Sequence, residues 1–160
     1  MKKNIFVVLI VIWMIFIFSM SSQNSEVSSN TSGNVIRVVL SIIPKFDEQP
    51  EEVKINVVEK LQFITRKSAH FIAYMIFGII AMLLLLQYGK VNKKPLFAFL
   101  ICVAFAISDE IHQLFVPGRS GQLRDVMIDS SGSLVGIAIV LLGIKLFDKS
   151  KQRKTRINLS

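Results

Sequence analysis

The chain has 160 residues, 52% of them hydrophobic and only 19% charged, with a mean hydropathy of +0.55. One domain of this size has too little interior to hide so much apolar sequence from water, and its charged fraction falls below the roughly 25% of soluble domains. Disorder is therefore excluded, a soluble enzyme fits poorly, and an integral membrane protein remains. The 8 glycines and 4 prolines exclude a collagen-like or low-complexity chain, and the single cysteine excludes a disulfide framework or a thiolate zinc cage.

About 20 apolar residues are needed to cross a ~30 Å hydrocarbon core as a helix. The first candidate span, residues 4–20, holds an unbroken apolar run from Ile5 to Phe18. Met1-Lys2-Lys3 ahead of it also suits a secretory signal peptide, with Ser19-Met20-Ser21 as a weak cleavage site. The long run and the poor site favour a retained anchor.

Residues 21–68 form the only long connection, starting Ser/Asn-rich and then turning amphipathic. Val35, Ile36, Val38, Val39, Leu40, Ile42 and Ile43 make a short apolar patch closed by Pro44. Pro50-Glu51-Glu52 is a good helix start, with proline in the first turn and acids at the positive end of the helix dipole. Val53, Val57, Leu61 and Ile64 follow at helical spacing, so this helix either runs into the second span or lies on the membrane surface.

The second span, 69–88, is apolar except for His70 and ends near Gln87 and Tyr88. The third, 95–116, is apolar to Ile107 and then carries Asp109, Glu110, His112 and Gln113. The fourth, 126–147, opens with Asp129-Ser130-Ser131 before becoming apolar, and a basic tail follows at 148–160. The expected fold is therefore all-α: one domain, a membrane bundle of four transmembrane helices, with an extracytoplasmic amphipathic helical loop between the first and second. Gly132, Gly136 and Gly143, with Ser133, form a small-residue stripe on the fourth span, of the kind that lets membrane helices approach closely. Cys102 sits among apolar neighbours and reads as a small buried hydrophobe.

The net charge is +8. Taken alone it could suit nucleic acid, but its distribution argues for topology instead. Eleven basic residues (Lys2, Lys3, Lys90, Lys93, Lys94, Lys145, Lys149, Lys151, Arg153, Lys154 and Arg156) fall on one side of the four-span arrangement with a single acid, Asp148. The other side holds 8 basic residues, among them Arg37, Lys45 and Arg124, and 10 acids. Because short basic loops stay in the cytoplasm, both termini are expected inside. A solvated topology signal is the plainer reading of the tail, beside contact with anionic lipid.

Ionisable side chains at membrane depth are costly and mark function or buried pairs. Lys67, His70 and Tyr74, at i, i+3 and i+7, share one face of the second span, directly after Arg66. Asp109, His112 and Gln113 share a face of the third, with Glu110 to one side. Asp125 and Asp129 share a face of the fourth. All three groups fall at the outer end of their spans, so three separate blocks meet at one depth. Each also has a structural reading: flanking charges for Arg66 and Lys67, a satisfied core histidine for His70, packing for Tyr74, ion pairing for Asp109 and Glu110, and helix-dipole charges for Asp125 and Asp129. Neighbours on a helix point about 100° apart. Asp109 is accordingly expected to face the pocket and His112, and Glu110 to meet Arg66, Lys67 or Arg119. Between the third and fourth spans, Pro117-Gly118 suits the centre of a type II turn, which aims Arg119 back over the cluster, where its guanidinium could hold a carboxylate or phosphate.

Four blocks resemble the VanZ-like family, named for a teicoplanin-resistance protein. They are Phe18 to Gln23, Arg66 to Gly78, Ser108 to Asp129 and Ser130 to Gly136. They cover most of spans two to four and every polar residue above, and they bring Gln23 into the candidate pocket; the long loop is outside the pattern. The resemblance implies a multi-pass bacterial plasma-membrane protein linked to low-level teicoplanin resistance, without implying a mechanism. Two functions stay open. One is a non-enzymatic envelope factor whose pocket binds a lipid headgroup or envelope component. The other is a small intramembrane hydrolase or transferase on a lipid-linked or phospholipid substrate. In the second, Arg119 and Arg66 bind phosphate, His70 or His112 serves as general base, and Asp109 or Glu110 orients it. The expected partners are a membrane lipid or lipid-linked component, and a second copy or another membrane protein; nucleic acid is not expected. No cofactor is expected. A divalent metal on the histidines and carboxylates is the lesser reading, since no recognised metal-ligand spacing occurs.

Overall fold

In a computed structural model, four helices long and apolar enough to cross a membrane follow one another in chain order among the described residues. The structure describes residues 2–23, 33, 36, 38, 40, 42, 46, 49–89 and 93–157, and no strand occurs among them. The expected all-helical fold of four spanning helices is what forms. Of the apolar patch, Val35, Val39 and Ile43, with the closing Pro44, lie outside the described residues; Ile36 is buried, Leu40 half-buried, and Val38 and Ile42 exposed. Met1, Arg37, Lys45 and Lys90 of the sequence argument also lie outside them, as do the side chains of Lys2, Lys3, Arg153 and Arg156.

Helix α1 (Lys2–Ser21) has no glycine or proline to interrupt it. Helix α2 (Glu51–Leu86) starts at Pro50, whose φ of −54° is preset for the first turn and whose carbonyl accepts from the amides of Val53 and Lys54 at 3.0 and 3.1 Å. It runs on without a break through the amphipathic stretch and the second span. At 1.5 Å per residue its 36 residues reach about 54 Å, far beyond a ~30 Å core. Helix α3 (Lys94–Gln113) starts at Lys93, in the left-handed conformation at φ 60°, with Pro95 in its first turn. Helix α4 (Leu123–Ile157) carries the fourth span straight on into the basic tail.

The core is small and belongs mainly to α2 and α3. Tyr74, Phe77, Ala81 and Met82 pack on Ala98, Cys102, Phe105 and Ala106, with Ile137 of α4 and Ile10 and Ile17 of α1 closing the cluster. The Phe77 and Phe105 rings lie 5.1 Å apart, and Tyr74 meets Phe77 edge-on at 6.1 Å. Around this core the surface is apolar: Ile5, Ile12, Ile72, Leu100, Ile111, Leu142 and Phe147 are all exposed. Such a belt is unfavourable in water and suits hydrocarbon. The chain is a multi-pass membrane protein.

The most extensive helix pairing is α2 with α4. A side chain at Gly132 would strike the carbonyl of Phe71, one at Gly136 the carbonyl of Met75, and one at Gly78 the backbone of Ser133. Only glycine permits this approach. Gly143, the fourth member of the expected stripe, faces open space and takes no part. Helix α1 is held to this pair by the indole Nε1 of Trp13, which donates to the carbonyl of Ala73 at 2.9 Å.

Candidate functional site

The turn between α3 and α4 closes one end of the bundle. The Arg119 amide donates to the Val116 carbonyl at 3.1 Å, and Gly118 has φ 73°, as a type II turn with Pro117-Gly118 at its centre requires. Gly121 lies so close under α3 that a Cβ would stand 2.7 Å from the carbonyl of Glu110. The last turn of α1, the middle of α2, the end of α3 and the start of α4 all meet here.

Each polar side chain has a definite place. The ammonium of Lys67 pairs with the carboxylate of Asp125. Nδ1 of His70 stands 3.6 Å from Oδ1 of Asp129, which is fully buried. Asp109, also fully buried, accepts at Oδ2 from the Ser21 hydroxyl at 2.8 Å and from Gln113 Nε2 at 3.4 Å. Glu110 accepts at Oε2 from the Gln122 amide at 2.8 Å and at Oε1 from Gln113 at 3.4 Å. Nε of Arg119 donates to the Gln23 carbonyl at 3.1 Å. Burial pulls the Arg119 guanidinium below its ordinary pKa, and the like charge of Arg66 adds to the pull against the opposing fields of Asp109, Asp125 and Glu110. Five buried atoms lack a hydrogen-bond partner among the described residues: Arg66 Nε, the Tyr74 hydroxyl, Asp109 Oδ1 and both oxygens of Asp129.

Three expectations change in detail. Among the described residues Glu110 pairs with no basic side chain; it holds the backbone amide of Gln122, because that amide leads into α4 without an intrahelical acceptor. Asp109 and His112 share a helix face but not a bond. Helix α1 ends between them and offers each its own serine: Ser21 to Asp109, and Ser22 to His112 at 2.9 Å, with the imidazole stacked on Phe18 at 4.6 Å. The carboxylate that stands 3.6 Å from His70 is that of Asp129, with an oxygen of Asp109 also within 4.8 Å of the imidazole. Gln23 contributes its carbonyl, while its side chain turns back to Met20.

A family model described as VanZ/LLP1 matches residues 6–145. The chain belongs to the VanZ/LLP1 family. No curated protein and no solved structure gives a match. The VanZ/LLP1 match spans every residue of the cluster, including several that helical spacing did not single out. Ser21, Ser22 and Ser133 are the clearest. Ser133 donates to the Asp129 carbonyl at 3.0 Å and to the Tyr74 carbonyl at 3.3 Å, tying α4 to α2 beside the cluster. The signal for Ser21 and Ser22 was their place in the block that follows the first apolar run; serine is too common at helix ends for chemistry alone to mark it.

The arrangement has two chemical halves. One is an acidic and imidazole centre, made by His70, Asp109 and Asp129, whose donor atoms all lie within 4.8 Å of one another. The other is basic: Arg119, in the field of Arg66, with the Arg66 Nε buried and without a partner among the described residues. Two half-buried guanidiniums with one in the other's field repel unless an anion joins them, and guanidinium is the side chain best shaped to take phosphate or carboxylate oxygens in pairs.

Proposed function

We propose that this VanZ/LLP1 protein acts in the bacterial plasma membrane and binds the phosphate headgroup of an envelope lipid or lipid-linked precursor. Both termini then lie in the cytoplasm, as the basic loops require, and the turn end of the bundle faces outward. Occupancy of the site by such a lipid would be its link to low-level teicoplanin resistance. The observation that carries this reading is the buried Arg66 Nε, without a partner among the described residues, in an arginine whose charge bears on the half-buried Arg119 guanidinium. The apolar belt around the bundle supports a ligand that arrives from the bilayer rather than from water. A second reading, an intramembrane hydrolase or transferase on the same class of lipid, is favoured by His70 standing 3.6 Å from the buried Asp129.

The test is lipid binding by the purified protein in detergent. Phosphatidic acid, phosphatidylglycerol, phosphatidylcholine and inorganic phosphate are compared as ligands. Phosphatidic acid, with its exposed phosphomonoester, is expected to bind best, and inorganic phosphate to compete weakly because it lacks the acyl chains. Arg66→Ala and Arg119→Ala should each weaken phosphatidic acid binding by about tenfold, ~1.4 kcal/mol. Equal affinity of both variants and the parent refutes the reading.

A further inference from the structure

His70 comes from α2, Asp109 from α3 and Asp129 from α4, yet their donor atoms lie within 4.8 Å of one another. His70 Nδ1 and Asp129 Oδ1 are 3.6 Å apart. That is too long for a hydrogen bond. It is close to the spacing of two donors on one ion, since tetrahedral ligands at about 2.1 Å from a metal lie roughly 3.4 Å from each other.

The state of the carboxylates is a second, independent observation. Asp129 is fully buried and neither of its oxygens has a hydrogen-bond partner; Oδ1 of the fully buried Asp109 has none either. An ionised carboxylate held out of water without donors costs several kcal/mol. Lys67 is committed to Asp125 and Arg119 Nε to the Gln23 carbonyl. Asp109 has the outer support that metal ligands carry: Ser21 and Gln113 hold Oδ2 and leave Oδ1 as the free donor.

We infer that His70, Asp109 and Asp129 together bind one divalent transition-metal ion. A neutral imidazole and two carboxylates balance a charge of +2. One nitrogen and two oxygens suit Zn2+ or Mn2+, and three protein donors leave a coordination position open. The ion itself does not depend on the phosphate reading. Its use does: with Arg66 and Arg119 beside it, the open position would take an oxygen of the lipid phosphate.

The experiment uses the full chain in detergent, stripped with chelator, reloaded with Zn2+ or Mn2+ alone and analysed for bound metal. About one ion per chain is expected, with affinity in the micromolar range or tighter. Asp129→Asn and His70→Ala should lower the content to about a tenth or less, while Asp125→Asn, whose parent side chain pairs with Lys67, should keep it. Arg66→Ala and Arg119→Ala should retain the ion whatever becomes of phosphatidic acid binding, so the two proposals fail separately. X-ray absorption on the zinc-loaded parent chain covers the case in which the ligand variants do not fold; an oxygen and nitrogen shell that includes imidazole is expected. A parent chain that takes up no ion, an Asp129→Asn chain that binds as the parent does, or a shell without imidazole overturns the inference.

Discussion

The two helices of the glycine seam also carry part of the polar cluster, with Asp129 only three residues before Gly132 and Tyr74 four before Gly78. Seam and cluster are satisfied to opposite degrees. In the seam no atom can be added: the backbones of α2 and α4 touch, and the Ser133 hydroxyl serves two carbonyls. One turn away, Asp129, Asp109, Tyr74 and Arg66 bury polar atoms that bond to nothing among the described residues. The seam can hold the helices in register despite that cost, because close contact and backbone proximity are the main sources of helix association once lipid replaces water. A region that meets its own needs is scaffold, and one held by force with needs unmet is built for something it receives.

Substitutions that act on one side of this contrast should separate it. The largest effect is expected from Gly136→Leu, whose side chain would run into the Met75 carbonyl and drive α2 from α4. A loss of roughly 3 kcal/mol or more, seen as a collapse of the thermal midpoint in detergent, follows from overpacking a site that cannot yield. Gly143→Leu, which meets nothing within 4 Å, should leave the midpoint unchanged. A stable Gly136→Leu chain would remove the seam from the argument.

Next in size is Lys67→Met. It strands the buried Asp125 carboxylate, at a cost of about 3 kcal/mol for breaking one side of such a pair. Adding Asp125→Asn should restore most of the loss, since removing both charges also removes their desolvation. The unfolding midpoints of both single variants and the double variant read this out, and failure of the second change to rescue the first would mean that the pair is incidental.

The smallest effect is expected from Ser21→Ala, which deletes one hydrogen bond between α1 and Asp109 and should cost about 1 kcal/mol. A shift as large as that of Lys67→Met would make the α1 contact part of the scaffold, and the contrast would need redrawing.

Much of this was legible from local chemistry. Apolar runs of spanning length mark all four helices, because helices in lipid must meet their own backbone bonds and show lipid an apolar face. Periodicity put Lys67, His70 and Tyr74 on one face of α2, and Pro117-Gly118 dictated its turn, since both depend only on neighbouring residues. The partners were not legible. Nothing local says that Lys67 takes Asp125, that His70 stands by Asp129, that Glu110 holds the Gln122 amide, or that Ser21 goes to Asp109 and Ser22 to His112. A helical repeat sets the depth and face of each side chain along its own axis. The rotation of one helix about another is set where they touch, at Gly78, Gly132 and Gly136, and only that docking decides which buried charges meet and which are left facing one another without a partner.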